Sequence, residues 1–149
     1  MRTTVRRTIV AVASAGVAVA LAGAGSGVVA GQAQPASVFT AEQATAGKAA
    51  YGRSCAGCHM PDLGGTPDAP PLAGSRFLDS WRTRTTKELF DFVAGAMPPG
   101  GSSMSPDTYA AILAYMFQSN GAPPGTARFQ PSTALPLDRV VPAGVTSTK

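Results

Sequence analysis

Two cysteines and one histidine lie within five consecutive residues, Cys55-Ala56-Gly57-Cys58-His59, and the 149-residue chain has no others of either type. Two cysteines are too few for the disulfide-dense scaffold of a small secreted protein. A single imidazole excludes any site that needs two histidines, such as a His-rich zinc centre. The chemistry open to these three side chains therefore constrains the fold more than any other feature of the sequence.

The spacing of the two cysteines matches the C-x-x-C-H pattern of covalent haem attachment. Cys55 and Cys58 can add to the two vinyl groups of one porphyrin, and the adjacent His59 is then placed to ligate the iron. A zinc site would need a fourth ligand and would have to recruit carboxylates. A thioredoxin-like pair belongs beside strands that this sequence does not predict. A structural disulfide or a chance match is the remaining alternative, and the motif predicts one covalently attached haem c per chain.

The second axial ligand of such a haem would be a methionine, a lysine, a weaker donor or nothing, because His59 is the only imidazole. Met60 follows His59 directly and cannot reach the opposite face. Met116 lies on an apolar helix stripe, where core packing is the usual role of methionine. Met97 is favoured because the proline after it restricts it to an extended conformation in a stiff loop. Met104 and an open site are the alternatives. Met/His ligation occurs in cytochromes c and raises the reduction potential.

The first 33 residues have the pattern of a secretory signal peptide. Arginines near the start precede an apolar segment from Ile9 to Ala30, and small residues up to Ala33 suit cleavage there. The apolar segment is also long enough to span a bilayer, so an uncleaved form would be anchored in the membrane. Cleavage leaves nine cations and eight anions, so the basic composition implies no nucleic-acid partner. We expect an exported protein, periplasmic or otherwise secreted.

Capping residues and apolar periodicity predict an all-α chain with about three main helices. Thr40 as N-cap, with Gln43 three residues later, gives a capping-box pattern. Ser105 as N-cap, followed by Pro106 in the first turn, predicts another helix start. The 17 glycines and 13 prolines require long loops. The helices are expected from Ala41 to about Ser54, from residue 85 or 86 to just before Met97, and from Pro106 to about Asn120.

Four segments are expected along the chain: a signal peptide at 1–33, a linker at 34–39, a helical haem domain at 40–121 and a tail at 122–149. The tail contains five prolines and no helical periodicity, a composition typical of a mobile segment. The alternative is an arm that lies along the domain or along a partner.

Between about Phe39 and Gly125 the chain resembles a class I cytochrome c domain. It is most similar to the haem subunits and domains associated with quinoprotein alcohol dehydrogenases. The resemblance implies that Cys55 and Cys58 are thioether anchors. The residues that carry it are Gly47 and Tyr51, the attachment motif with its proximal ligand His59, Ala69-Pro70-Pro71-Leu72-Ala73-Gly74, the Met97-Pro98-Pro99-Gly100 segment with its distal ligand Met97, and the segment 104–121.

The same resemblance assigns roles to residues outside the attachment motif. The Pro70 carbonyl is expected to accept a hydrogen bond from the proximal His59, which orients the imidazole. Leu72 is expected to pack on the haem. Gly47 and Tyr51 are expected to meet the last helix.

The resemblance implies a one-electron carrier rather than an enzyme. Its expected partners are redox proteins: a periplasmic dehydrogenase as donor, with this chain acting alone or as the electron-accepting subunit, and a downstream cytochrome or oxidase as acceptor. The alternative is a haem-based sensor or peroxidase-like enzyme with an open sixth coordination position, although the chain offers no distal histidine. The covalent porphyrin would also supply the apolar centre that so short a domain lacks.

Overall fold

The computed structural model describes residues 34–101 and 104–142, so the segment interpreted as a signal peptide lies outside the described residues. Within these two ranges the chain forms helices joined by loops, and the only extended pairing is an isolated bridge between Thr85 and Pro136. The predicted all-α class is confirmed, and so are the three long helices. The helices are α1 (Ala41–Ser54), α2 (Ala56–His59), α3 (Ser75–Trp81), α4 (Thr86–Ala96), α5 (Pro106–Ser119) and α6 (Leu137–Val140).

The described helices are all short or polar enough that none could cross a membrane.

The start of α1 follows the capping prediction only in part. The Thr40 hydroxyl accepts a hydrogen bond from the Gln43 backbone N–H at 3.2 Å, as predicted. The Gln43 side chain does not return to the cap. Its Nε2 donates to the Phe129 carbonyl at 2.9 Å, and its Oε1 accepts from the Phe129 N–H at 2.7 Å. The reciprocal half of the predicted capping box is therefore wrong, because the buried Gln43 amide binds the backbone of the C-terminal segment.

Helices α1 and α5 form the centre of the fold. They cross at Gly47, where a Cβ atom would overlap the carbonyl oxygen of Ala111. One turn further along α1, the Tyr51 ring lies 5.4 Å from the Tyr115 ring of α5. The expected contact of Gly47 and Tyr51 with the last helix is confirmed. The missing side chain at Gly47 allows the two backbones to meet.

Residues 122–142 pack against the domain, so the interpretation of residues 122–149 as a mobile tail is wrong over this described part. The side chains of Phe129, Leu137 and Val140 are at most 1% exposed. The Phe129 ring packs edge-on against Phe117, with ring centroids 5.3 Å apart. Phe39, at the end of the segment interpreted as a linker, is fully buried and lies 6.5 Å from the Phe117 ring. The linker interpretation is therefore wrong at its last residue.

Hydrogen bonds tie the C-terminal segment to two other parts of the fold. The Ala36 N–H donates to the Arg139 carbonyl at 2.6 Å. The buried Thr86 hydroxyl donates to the Thr133 carbonyl at 2.6 Å and accepts from the Leu135 N–H at 3.2 Å. Prolines interrupt the periodicity of this segment without preventing its burial, since its polar backbone groups find partners on α4 and on the chain before α1.

Phe129→Ala is expected to lower the free energy of unfolding by about 3–5 kcal/mol, because it removes a fully buried ring and leaves a cavity. Denaturant unfolding of the haem-loaded protein measures the change. Gln130→Ala, at the exposed neighbouring position, is the control and should change the stability by less than about 0.5 kcal/mol. Equal stabilities for the two variants would contradict the packed arrangement.

Candidate functional site

The attachment motif occupies the junction between α1 and α2. The Cys55 N–H donates to the Tyr51 carbonyl at 2.8 Å, and the His59 N–H donates to the Cys55 carbonyl at 3.0 Å. Both thiols are free; Cys55 is half-buried and Cys58 is exposed. Burial raises the pKa of the Cys55 thiol. The end of α1 therefore continues into one turn that carries both cysteines and the histidine.

The His59 side chain is buried and held by a single carbonyl. Its Nδ1 lies 2.8 Å from the Pro70 carbonyl oxygen. A carbonyl can only accept a hydrogen bond, so Nδ1 must carry the proton. In the neutral ring Nε2 then has a free lone pair, which is the form in which imidazole binds a metal. This hydrogen bond is the one implied by the resemblance.

The loop after His59 is held at its start by Tyr51. The buried Tyr51 hydroxyl donates to the Met60 carbonyl at 2.7 Å. Burial is the main cause that raises the pKa of this hydroxyl above its usual value, so it remains a donor. Met60 and Leu63 have φ angles of 63° and 61°, in the left-handed region that non-glycine residues rarely adopt. Tertiary contacts such as the Tyr51 bond hold this strained backbone in place.

Asn120 holds the other end of the same loop. Its side chain is 2% exposed and follows directly after α5. Its Oδ1 accepts from the Gly74 N–H at 2.9 Å, and its Nδ2 donates to the carbonyls of Leu72 at 3.0 Å and Met116 at 2.8 Å. One amide thus joins the end of α5 to the segment just beyond Pro70.

A cavity of about 720 Å³ lies beside these elements, within the usual range of about 300–1,000 Å³ for cofactor sites. Five of the six site residues predicted from sequence line it, whereas Cys58 is exposed and is not part of the described lining. The five are Cys55, His59, Pro70, Leu72 and Met97.

Of the four methionines weighed as ligands in the sequence, two line the cavity. Met97 follows α4 in an extended conformation, as its position before a proline predicts. Its N–H donates to the Val93 carbonyl at 3.0 Å, and its carbonyl accepts from the Tyr109 hydroxyl at 2.7 Å. Met116 also lines the cavity from α5. Met104 is half-buried against the hydrophobic core and is outside the described lining.

Sequence reasoning missed the part of the lining that α3 provides. Helix α3 has only seven residues, too few for a periodic signal, and it carries the buried Phe77 and the half-buried Trp81. The Trp81 ring lies 5.3 Å from Phe92 and has the Arg84 guanidinium 5.1 Å from its centroid. Trp81 is the only tryptophan in the chain, which is the one signal that could have pointed to it. Further apolar lining comes from residues that include Leu89, Val93 and Ile112.

The cavity fits a haem better than a metal held by side chains alone. In residues 34–101 and 104–142 no three His, Cys, Asp or Glu side chains are arranged to hold a metal ion. The cavity instead offers a half-buried thiol, an imidazole with a free lone pair, a thioether and a largely apolar wall. These are the groups that a covalently attached porphyrin would use.

Asn120→Ala is expected to lower the free energy of unfolding by about 2–3 kcal/mol, because it leaves the Gly74 N–H and the Leu72 carbonyl without this partner. Chemical denaturation of the haem-loaded protein measures this loss. Gln118→Ala, at an exposed position of the same helix, is the matched control. An unchanged stability of Asn120→Ala would contradict the role of this amide in holding the loop.

Comparison with known proteins agrees with this site. A family described as cytochrome C oxidase, cbb3-type, subunit III matches residues 42–116, half of the chain. No curated protein and no solved structure matches the chain. The family match covers the motif, the loop after it and most of α5, and it carries no specific link to alcohol dehydrogenases. The chain belongs to this family of cytochrome c domains, which hold one covalently attached haem c and transfer electrons.

Proposed function

We propose that this protein is an exported monohaem electron carrier. Cys55 and Cys58 would hold a haem c through thioethers, and His59 and Met97 would supply the ligands of its iron. The observation that carries the proposal is the 2.8 Å contact between His59 Nδ1 and the Pro70 carbonyl at a largely apolar cavity. A buried histidine whose only free lone pair is on Nε2 is prepared to bind a metal and has no proton to give from that atom.

Each proposed residue has a distinct task. A haem c, when bound, supplies an iron that gains and loses one electron. The Pro70 carbonyl fixes the tautomer and orientation of His59 and increases its basicity as a ligand. As a ligand, the Met97 thioether would favour the reduced iron and raise the potential. Leu72 and the apolar wall exclude water. With both residues as ligands, the iron would offer no position to a substrate.

The proposed partners are a dehydrogenase that donates electrons and a cytochrome or oxidase that accepts them. The donor rests on the sequence resemblance alone. The description of the matched family as an oxidase subunit supports an oxidase on the acceptor side. With cleavage after Ala33, the charges nearly balance, which favours small transient interfaces without strong electrostatic steering.

The proposal places the protein outside the cytoplasm. Cytochrome c domains are typically extracytoplasmic, and the first 33 residues have the composition of an export signal. Retention of this segment would anchor the same domain to the membrane surface.

The ligand assignment is tested by absorption spectra of the oxidised and reduced protein, with carbon monoxide added to the reduced form. The wild type should be low-spin, with the weak red-edge band of sulfur-ligated ferric haem, and should not bind carbon monoxide. Met97→Leu should lose that band, bind carbon monoxide and have a lower reduction potential, because the thioether is removed.

Met104→Leu is the matched control and should retain the wild-type spectra. Loss of the sulfur band in Met104→Leu but not in Met97→Leu would move the ligand to Met104. A high-spin wild type that binds carbon monoxide rapidly would contradict the carrier and favour a sensor or enzyme with an open iron.

The haem is also expected to be required for folding. A variant with Cys55→Ala and Cys58→Ala should lack covalent haem and be largely unfolded, because so small a core is marginal without the porphyrin. Circular dichroism and thermal melting measure the fold, and haem staining of a denaturing gel measures attachment. Cooperative, native-like melting of the haem-free variant would contradict this expectation.

A further inference from the structure

Tyr109 makes a polar contact that the periodicity of α5 does not predict. Its position on the apolar stripe is typical of a core residue, and its side chain is only 4% exposed. Its hydroxyl nevertheless donates a hydrogen bond of 2.7 Å to the carbonyl oxygen of Met97, twelve residues earlier in the chain. The bond joins the first turn of α5 to the residue at which α4 ends.

This hydrogen bond holds the Met97 backbone on its C-terminal side, where α4 has already ended. On the N-terminal side, the Met97 N–H bonds to the Val93 carbonyl as the last bond of the helix. On the C-terminal side, the chain enters an exposed turn in which Gly100 and Gly101 have φ angles of 92° and 87°. Tyr109 thus links the carbonyl of Met97 to the most deeply buried helix of the domain.

We propose that Tyr109 is a positioning residue for the axial ligand. Its hydroxyl keeps residues 97–100, the Met97 segment, closed against the cavity, so that the thioether stays at the iron. The inference rests on the proposed ligation by Met97. An external ligand can bind only after the thioether leaves, so its apparent affinity is reduced by the small fraction of molecules in which the segment is open. The Tyr109 bond contributes to the closed state and is lost when Met97 moves away.

Tyr109→Phe tests this contribution because it retains the buried ring and removes the hydroxyl that donates to the Met97 carbonyl. Titration of the oxidised protein with imidazole, followed in the haem spectrum, measures the opening. The variant should bind imidazole roughly three- to tenfold more tightly than the wild type, the factor that corresponds to one net hydrogen bond. Without imidazole it should keep the sulfur-ligand band.

Tyr115→Phe is the matched control on the same helix, since the Tyr115 ring packs against Tyr51 rather than against the Met97 segment. Its imidazole affinity should equal that of the wild type. An unchanged affinity of Tyr109→Phe, or an equal gain in both variants, overturns the proposal. Thermal melting of both variants shows whether a gain reflects general loosening of the fold, which would also overturn it.

The failure of this inference is distinguishable from the failure of the proposed ligand. If Met97→Leu retains the sulfur-ligand band, Met97 is not the ligand, and the positioning role of Tyr109 is overturned as well. If Met97→Leu loses the band while Tyr109→Phe binds imidazole like the wild type, the ligand stands and only the positioning role is overturned.

Discussion

The close contact between α1 and α5 at Gly47 is the constraint on which the rest of the domain depends. The Ala111 carbonyl lies where a side chain at position 47 would be, and a core packed at crystal-like density could not absorb the added atoms without separating the helices. The α1 helix leads directly into the cysteine–histidine turn, while α5 brings Ile112 and Met116 to the cavity wall. The helix crossing therefore determines how the attachment motif at the end of α1 is placed relative to the cavity wall that α5 provides.

Two loops beside the cavity, one after His59 and one after α4, are each hydrogen-bonded to one end of α5. Near its start, the Tyr109 hydroxyl binds the Met97 carbonyl. Just after its end, Asn120 binds the backbone of Leu72 and Gly74. These loops are rich in proline and glycine and belong to no helix, and polar side chains at the two ends of a rigid helix bind their backbone. Such support from a rigid element is what keeps a ligand set within the narrow geometry that a cofactor requires.

The attachment motif and the helix starts were predictable because they depend on residues a few positions apart. The hydrogen-bond partner of the Gln43 side chain was not predictable. Both the N-cap backbone and the backbone of Phe129 could satisfy its amide, and Phe129 lies 86 residues away. The same holds for the C-terminal segment: its proline content is typical of mobile chains, but Phe129 is buried through contacts with Gln43 of α1 and Phe117 of α5, which meet it only when the helices pack. The helix that carries Trp81 was too short to give a periodic signal.

The sequence by itself determined the haem chemistry, the all-α class and the three long helices, because these follow from short-range rules of spacing, capping and periodicity. It also left His59 as the only imidazole available to a haem iron, with a methionine, a lysine, a weaker donor or no ligand as the options for the opposite face. Only the tertiary structure decided that Met97 and Met116 line the cavity while Met104 packs against the core, and that residues 122–142 complete the domain. Contacts between residues far apart in the chain have no local signature, so they become visible only when the helices are packed.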